Sequence, residues 1–232
     1  MRSLAGTGVA SAAALMLAAC SPTEPSTAAA GCVPTESSAS AVLPMFDRPF
    51  AGTWPVGNDF DHDLPVPGDA NGHVLTLCGV RDATQVDGHD GYDFRMPEGT
   101  PLRAVADGSV EFAGLEGPHP CPALGRTVQA LYVALAHDAP SGGRLVSIYG
   151  HLSRLEVATG SRVASGTVIG LSGNTGCSGT PHLHFGVARE TGGQLRLVDP
   201  YGWHGPGADP WALDSRGAPS TWLWKSGQAP PL

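Results

Sequence analysis

No run of lysine or arginine interrupts this sequence, so it offers no electrostatic track to a phosphate backbone, and nucleic acid is not an expected partner. Asp and Glu outnumber Lys and Arg by 21 to 13, for a net charge of −8. No segment approaches the roughly 18–20 consecutive apolar residues of a comfortable spanning helix. No apolar 3.6-residue period persists, which excludes a long amphipathic helix, and no internal repeat suggests a solenoid or propeller. There is no C-x-x-C pair to hold a structural zinc. What is abundant is turn chemistry, with 32 Gly and 21 Pro in 232 residues. At 41% hydrophobic residues the chain can bury one substantial core, and the expected class is all-β.

The first twenty residues, "MRSLAGTGVASAAALMLAAC", have one charge, a small-residue and leucine core, and a cysteine where cleavage is expected. Residues 1–19 read as a lipoprotein-type export signal, with Leu17 to Cys20 resembling the bacterial lipoprotein box. That implies acylation of Cys20 and a membrane tether through a lipid anchor; an ordinary secretory signal cut nearby is the other reading. Residues 20–44, rich in Ser, Thr, Ala and Pro, read as a spacer too poor in large apolar groups to fold alone. Beyond Cys20 four cysteines remain, an even number in an exported chain, which fits disulfides. Spacing alone does not choose among the three pairings; Cys32 with Cys78 and Cys121 with Cys177 is the expected one.

Residues 45–232 read as one domain. Met45 to Val86 looks like irregular N-terminal wrapping. From Thr100 the strand grammar is clear: "TPLRAVA" and "SVEFAG" flank Asp107-Gly108, a dipeptide suited to a primed hairpin turn. "RTVQALYVALAH", "RLVSIYGHL", "TVIGLSG", "HLHFGVA" and "QLRLVD" follow. The extension 200–232 holds four of the five tryptophans among Gly and Pro, and is expected to lie as loop over the sheets, its indoles packing or lining a groove.

In "GTPHLHFGV" His182 and His184 share one strand face, while Leu183 and Phe185 point the opposite way. Alone, such a pair is weak evidence for a site and more often two histidines that simply sit on a strand. In "DGHDGYDF" His89 and Asp93 would stand about 13 Å apart on a straight strand, too far to share one ion. Two glycines disfavour a helix, so the chain must bend between them, and Gly91 is the expected hinge. His151 follows an apolar strand in "SIYGHLS".

These segments, in this order across about residues 87–188, together with "GTPLRAVADGSV" and "GSRVASGTVIGLSGNTGCSGTPHLHF", resemble the lysostaphin/LytM-type zinc metallopeptidases. The resemblance implies a compact antiparallel β-sandwich with an active-site groove, long loops and little helix. It implies one Zn2+ per chain held by His89, Asp93 and His184, with His151 and His182 as the catalytic imidazoles. No glutamate stands in the motif as in H-E-x-x-H enzymes, so an imidazole must take the proton. The implied function is a zinc metalloendopeptidase hydrolysing peptidoglycan peptides in the bacterial cell envelope. Two other readings stay open: a non-catalytic peptidoglycan-binding module or activator of other wall hydrolases, and a ferrous oxygenase site, which the same ligand types suit but the ligand spacing and export do not.

The segment from Glu116 to Leu145 is longer than the family's usual connection. Tyr149, on the strand face of His151, is a candidate for the tyrosine that steadies the oxyanion in relatives, with core packing as its alternative. His62 in "DFDHDLP" reads as a solvated charged turn, or less simply as part of a cation-binding loop; His137 reads as outlying support at best. His73, His119 and His204 sit in turn-rich contexts without ligand spacing.

Overall fold

A computed structural model describes residues 32–35, 44–64, 71–140 and 142–232. The export signal, Cys20 and most of the spacer lie outside the described residues. Among the described residues no helix is long and apolar enough to cross a membrane; apart from two single 3-10 turns, the regular elements are strands.

The larger sheet runs across the strands Val56–Asn58, Tyr92–Arg95, His182–Thr191, Arg144–Gly150, Leu131–Asp138, Gly108–Leu115 and Arg162–Val163, with Gln194–Leu197 also paired to His182–Thr191. A three-stranded sheet joins Arg154–Leu155, Val168–Leu171 and Pro101–Arg103. Every pairing between these strands is antiparallel. Both sheets bury side chains in one core, which holds Leu102 and Ile169 from the small sheet and Tyr92, Phe94, Leu135, Tyr149, Leu183 and Phe185 from the large one. The all-β class and antiparallel sandwich are as expected.

Period two decides what each face carries. Tyr92 and Phe94 point into the core, as do Leu183 and Phe185, so Asp93, His182 and His184 face the other way. Register then aligns them, since His184 pairs with Asp93 and with Gly150 across the two neighbouring strands.

The segments outside the strand grammar also feed the core. Phe46 and Phe50 are buried there with Trp211, Trp222 and Trp224, and Phe46 bridges to Trp224. These three indoles therefore pack rather than line a groove. The disulfides are Cys32–Cys78 and Cys121–Cys177, the expected pairing.

One turn differs from expectation. Asp107-Gly108 does not close a hairpin: Pro101–Arg103 pairs with Val168–Leu171, and Gly108–Leu115 with Leu131–Asp138. Neither Asp107 nor Gly108 has positive φ. Glycine is needed at 108 for space, because a Cβ there would stand 2.4 Å from the Ala136 carbonyl oxygen and 2.8 Å from His137 Nδ1.

Candidate metal centre

Three side chains meet on the outer face of the large sheet. His89 Nε2 lies 3.1 Å from His184 Nδ1; each of these nitrogens lies 3.0 Å from Asp93 Oδ1. All three residues are buried. A tetrahedral ion with bonds of about 2.0–2.1 Å separates its ligand atoms by about 3.3–3.4 Å, so this triangle is within a few tenths of an ångström of the edges such an ion requires.

The surroundings fix which atom of each group faces inward. His89 Nδ1–H donates to the Asp59 carbonyl oxygen at 2.8 Å, leaving the Nε2 lone pair on the triangle. His184 Nε2 lies 3.2 Å from Asp90 Oδ1, an acceptor that places the proton on Nε2 and the lone pair on Nδ1. Asn58 Nδ2–H donates to Asp93 Oδ2 at 2.7 Å, which turns Oδ1 inward. Such outer partners both orient metal ligands and raise their basicity.

The local chain conformation explains the meeting of His89 and Asp93. The chain bends at Gly91, between the two residues, and the strand begins only at Tyr92. Gly91 is thus the expected bend, made without a positive φ. It also supplies room: a Cβ at 91 would stand 2.6 Å from the Phe185 carbonyl oxygen and 2.9 Å from both Cε1 and Nε2 of His184.

Electrostatics match this assembly. Burial alone would raise the Asp93 pKa, but the neighbouring imidazoles outweigh it and hold the carboxyl well below the ordinary carboxylate value. Burial alone would lower His184; hydrogen bonding to Asp90 and Asp93 overturns that and lifts it to about 10. His89 is raised by Asp93 despite its burial. The pocket thus has a strong negative field that holds protons on imidazoles when no metal competes for them.

His151 and His182 stand beside the triangle, ring centroids 4.6 Å apart, and the His151 centroid is 6.0 Å from that of His184. Both donate from Nδ1 to a backbone carbonyl, His151 to Thr175 and His182 to Thr180, each at 2.7 Å. Nε2 is then the acceptor of each ring, and His182 Nε2 lies 3.4 Å from Asp93 Oδ1. His151 is the one non-glycine among the described residues with positive φ, 61°, a conformation uncommon outside glycine and concentrated at functional sites. Burial, then the charges of His182 and His184, pull its pKa down to about 3, so it is neutral near pH 7.

All five residues expected from the sequence are therefore gathered here. Asn58, Asp90 and the carbonyls of Asp59, Thr175 and Thr180 are not legible as site residues, because generic polar residues and main-chain atoms carry no motif. Tyr149 is not part of the centre. It is fully buried, and its Oη accepts a hydrogen bond from Val105 N–H at 3.0 Å. His137 is likewise structural, Nδ1 to the Asp107 carbonyl and Nε2 to Ser147 Oγ.

His62 departs from both of its readings. It is 1% exposed; its Nε2 lies 3.2 Å from Asp199 Oδ2, which also accepts from Tyr92 Oη at 2.8 Å. A buried ion pair behind the centre replaces the expected solvated turn, because Phe60 and Trp203 close over the ring.

The long connection after Glu116 forms a small hairpin, His119–Cys121 paired with Arg126–Val128. It has its own miniature core of Cys121, Val128 and Cys177.

An all-β domain that offers two imidazoles and a carboxylate at such spacing has the donor set a divalent metal takes. Residues 87–200 match the model of Peptidase family M23, and the chain carries a domain of that family. Over 97 residues it is 41% identical to an uncharacterized metalloprotease of Haemophilus influenzae, covering 42% of this chain and 18% of that protein. It is 38% identical to the glycyl-glycine endopeptidase ALE-1 of Staphylococcus capitis, covering 42% and 24%. It is 39% identical to the peptidoglycan DD-endopeptidase ShyA of Vibrio cholerae, covering 42% and 19%. The match thus spans only 18% to 24% of these relatives' length. Among solved structures, the catalytic domain of lysostaphin from Staphylococcus simulans is 28% identical, with a TM-score of 0.41, covering 60% of this chain and 82% of that one.

Proposed function

We propose that the protein is a zinc-dependent endopeptidase that hydrolyses peptide bonds in bacterial cell-wall peptidoglycan. The observation that carries the proposal is the 3.0–3.1 Å triangle of His89, Asp93 and His184 within a peptidase family M23 domain. Two relatives bear the names of glycyl-glycine and peptidoglycan endopeptidases, which supports the substrate class.

The residues fit zinc. Two neutral imidazoles and a carboxylate leave a divalent centre at +1, and three protein ligands are the number a catalytic zinc keeps. A disulfide-bonded chain suits a redox-inert ion better than ferrous iron. When bound, zinc supplies Lewis acidity, lowering the pKa of a coordinated water and polarising the scissile carbonyl.

His151 and His182 handle the protons. Each holds its Nδ1 proton on a carbonyl and presents Nε2 as acceptor. His151 starts neutral, as a general base must, and the two rings share proton abstraction, oxyanion stabilisation and delivery of a proton to the leaving amine. Asn58, Asp90 and the Asp59 carbonyl keep the ligands aimed.

The lipobox-like Leu17–Cys20 segment supports tethering at the bacterial envelope, where this substrate lies. Digestion of purified sacculi by zinc-loaded protein, followed by mass spectrometry, should release peptides cut in the stem or cross-link. His184→Ala should release none; absence of products from the wild-type protein would refute catalysis.

A further inference from the structure

The loop between the strands Val168–Leu171 and His182–Thr191 carries both carbonyls that take the Nδ1 protons of His151 and His182. It has little apolar anchorage of its own. Its one buried apolar side chain between residues 174 and 181 is Cys177, 2% exposed, and Cys177 belongs to the miniature core with Cys121 and Val128, separate from the main core. The hairpin 116–130 is thus the loop's apolar support, beside polar and close contacts to residues 131 and 151–153. Gly176 lies so close to it that a Cβ would stand 2.5 Å from that of Ala130. Thr175 Oγ accepts from Leu131 N–H at 3.0 Å and donates to the Leu152 carbonyl at 2.8 Å. Glu116 closes the hairpin's base, Oε1 accepting from Ala130 N–H at 2.8 Å. Next to Cys177, Ser178 Oγ donates to Asn174 Oδ1 at 2.5 Å and lies 3.3 Å from His182 Nδ1.

By contrast, the triangle is held from elsewhere. Asn58, Asp59 and Asp90 restrain its members, and none of these belongs to the loop or the hairpin. One site therefore has two independent supports, one for the donor triangle and one for the pair of imidazoles beside it.

We propose that the Cys121–Cys177 disulfide is a positioning element: it clamps the 116–130 hairpin onto the 174–180 loop and so holds the Thr175 and Thr180 carbonyls that orient His151 and His182. The proposal rests on the functional reading above for its catalytic consequence, and on geometry alone for its structural one. A general base must lie within hydrogen-bond reach of its proton, and misplacement by about 1 Å costs on the order of 100-fold in rate. Releasing the clamp lets the carbonyls, and the rings with them, leave that geometry while the donor triangle stays intact.

The test compares three zinc-loaded variants with the wild type on a soluble cross-linked muropeptide: Cys121→Ser/Cys177→Ser, Cys121→Val/Cys177→Ala, which keeps the small core apolar, and Cys32→Ser/Cys78→Ser as control. We expect both Cys121/Cys177 variants to lose about 10-fold to 100-fold in kcat, with KM within about twofold and zinc stoichiometry unchanged. The control pair should keep its kcat. In 15N-labelled protein, the hydrogen-bonded Nδ1–H resonances of His151 and His182 should broaden or vanish in the Cys121/Cys177 variants and persist in the control. Wild-type kcat with both resonances intact would overturn the proposal. So would loss of zinc binding and of folded structure in both Cys121/Cys177 variants, which would make the bridge a staple of the whole domain. If the wild type turns over no wall substrate, the functional reading fails, and the imidazole resonances still decide the positioning role.

Discussion

His89 Nε2 and Asp93 Oδ1 lie 3.0 Å apart, although a straight strand would separate the two residues by about 13 Å. The bend at Gly91 and the late start of the strand at Tyr92 bring them together. The contact closes a buried cluster in which every donor has a second partner: the Asp59 carbonyl for His89, Asn58 for Asp93 and Asp90 for His184. That double attachment makes the centre testable one layer out.

Asn58→Ala removes the donor that turns Asp93 Oδ1 inward. Loss of an outer-shell partner costs about 10-fold to 100-fold in metal affinity. Competition with a chelator of known affinity should show zinc held that much more weakly, with turnover recovering at saturating zinc. Wild-type affinity would mean that Asn58 only fills space.

His151→Ala and His182→Ala should behave differently from ligand variants. Neither ring belongs to the 3.0–3.1 Å triangle, so zinc stoichiometry should remain at one while kcat falls by about 10²–10⁴-fold. Zinc loss in either variant would move that histidine into the ligand set.

Much of this was legible in the sequence because strand alternation and glycine turns are local. Alternation alone sets His182 and His184 on the face opposite Leu183 and Phe185, and the spacing of the apolar runs marks the central strands. What was not legible depends on tertiary contact. Asp107-Gly108 has turn composition, but the glycine answers to the Ala136 carbonyl lying across the sheet. His62 sits in an acidic, turn-like stretch, yet Asp199, more than a hundred residues later, makes its burial tolerable. Asn58 and the Thr175 and Thr180 carbonyls act through position, and nothing in their identity announces it.

The His62–Asp199 pair gives stability a pH dependence. Burial alone would lower the His62 pKa, but the hydrogen bond and charge of Asp199 raise it above 6.5. A raised folded-state pKa contributes stability that is fully present below the unfolded value, about 6.5, and is lost as pH rises through the folded value. At fixed saturating zinc, Tm should therefore decline above about pH 7. His62→Gln should flatten that decline and lower Tm near pH 6, since breaking a buried pair costs about 3–5 kcal/mol. A wild-type Tm that does not fall between pH 7 and 9 would sink this account.

Zinc binding should expel protons. Asp90 and Asp93 lift His184 to about 10 against the effect of burial, so near pH 7 the metal-free centre carries a proton where the ion needs a lone pair. Affinity should rise with pH, by about tenfold per unit for each proton released. Calorimetry of zinc binding in buffers of different ionisation enthalpy counts those protons directly. A count of zero near pH 7 would show that the imidazoles are already neutral there.

Gly91→Ala tests whether room, rather than backbone freedom, is what position 91 supplies. Its φ is not positive, so alanine meets no conformational barrier. The added Cβ would, however, stand 2.6 Å from the Phe185 carbonyl oxygen and 2.9 Å from two atoms of the His184 ring. The carbonyl is fixed in the sheet, so the imidazole is what gives way. Overpacking of this kind costs about 1–3 kcal/mol, and a displaced ligand should weaken zinc by at least the about 10-fold seen for outer-shell changes. Gly117→Ala is the matched control, with nothing within 4 Å of its Cβ and no positive φ, and should leave affinity and Tm unchanged. If Gly91→Ala binds zinc as tightly as the wild type, the ring has slack, and the close approach at Gly91 is not what fixes His184.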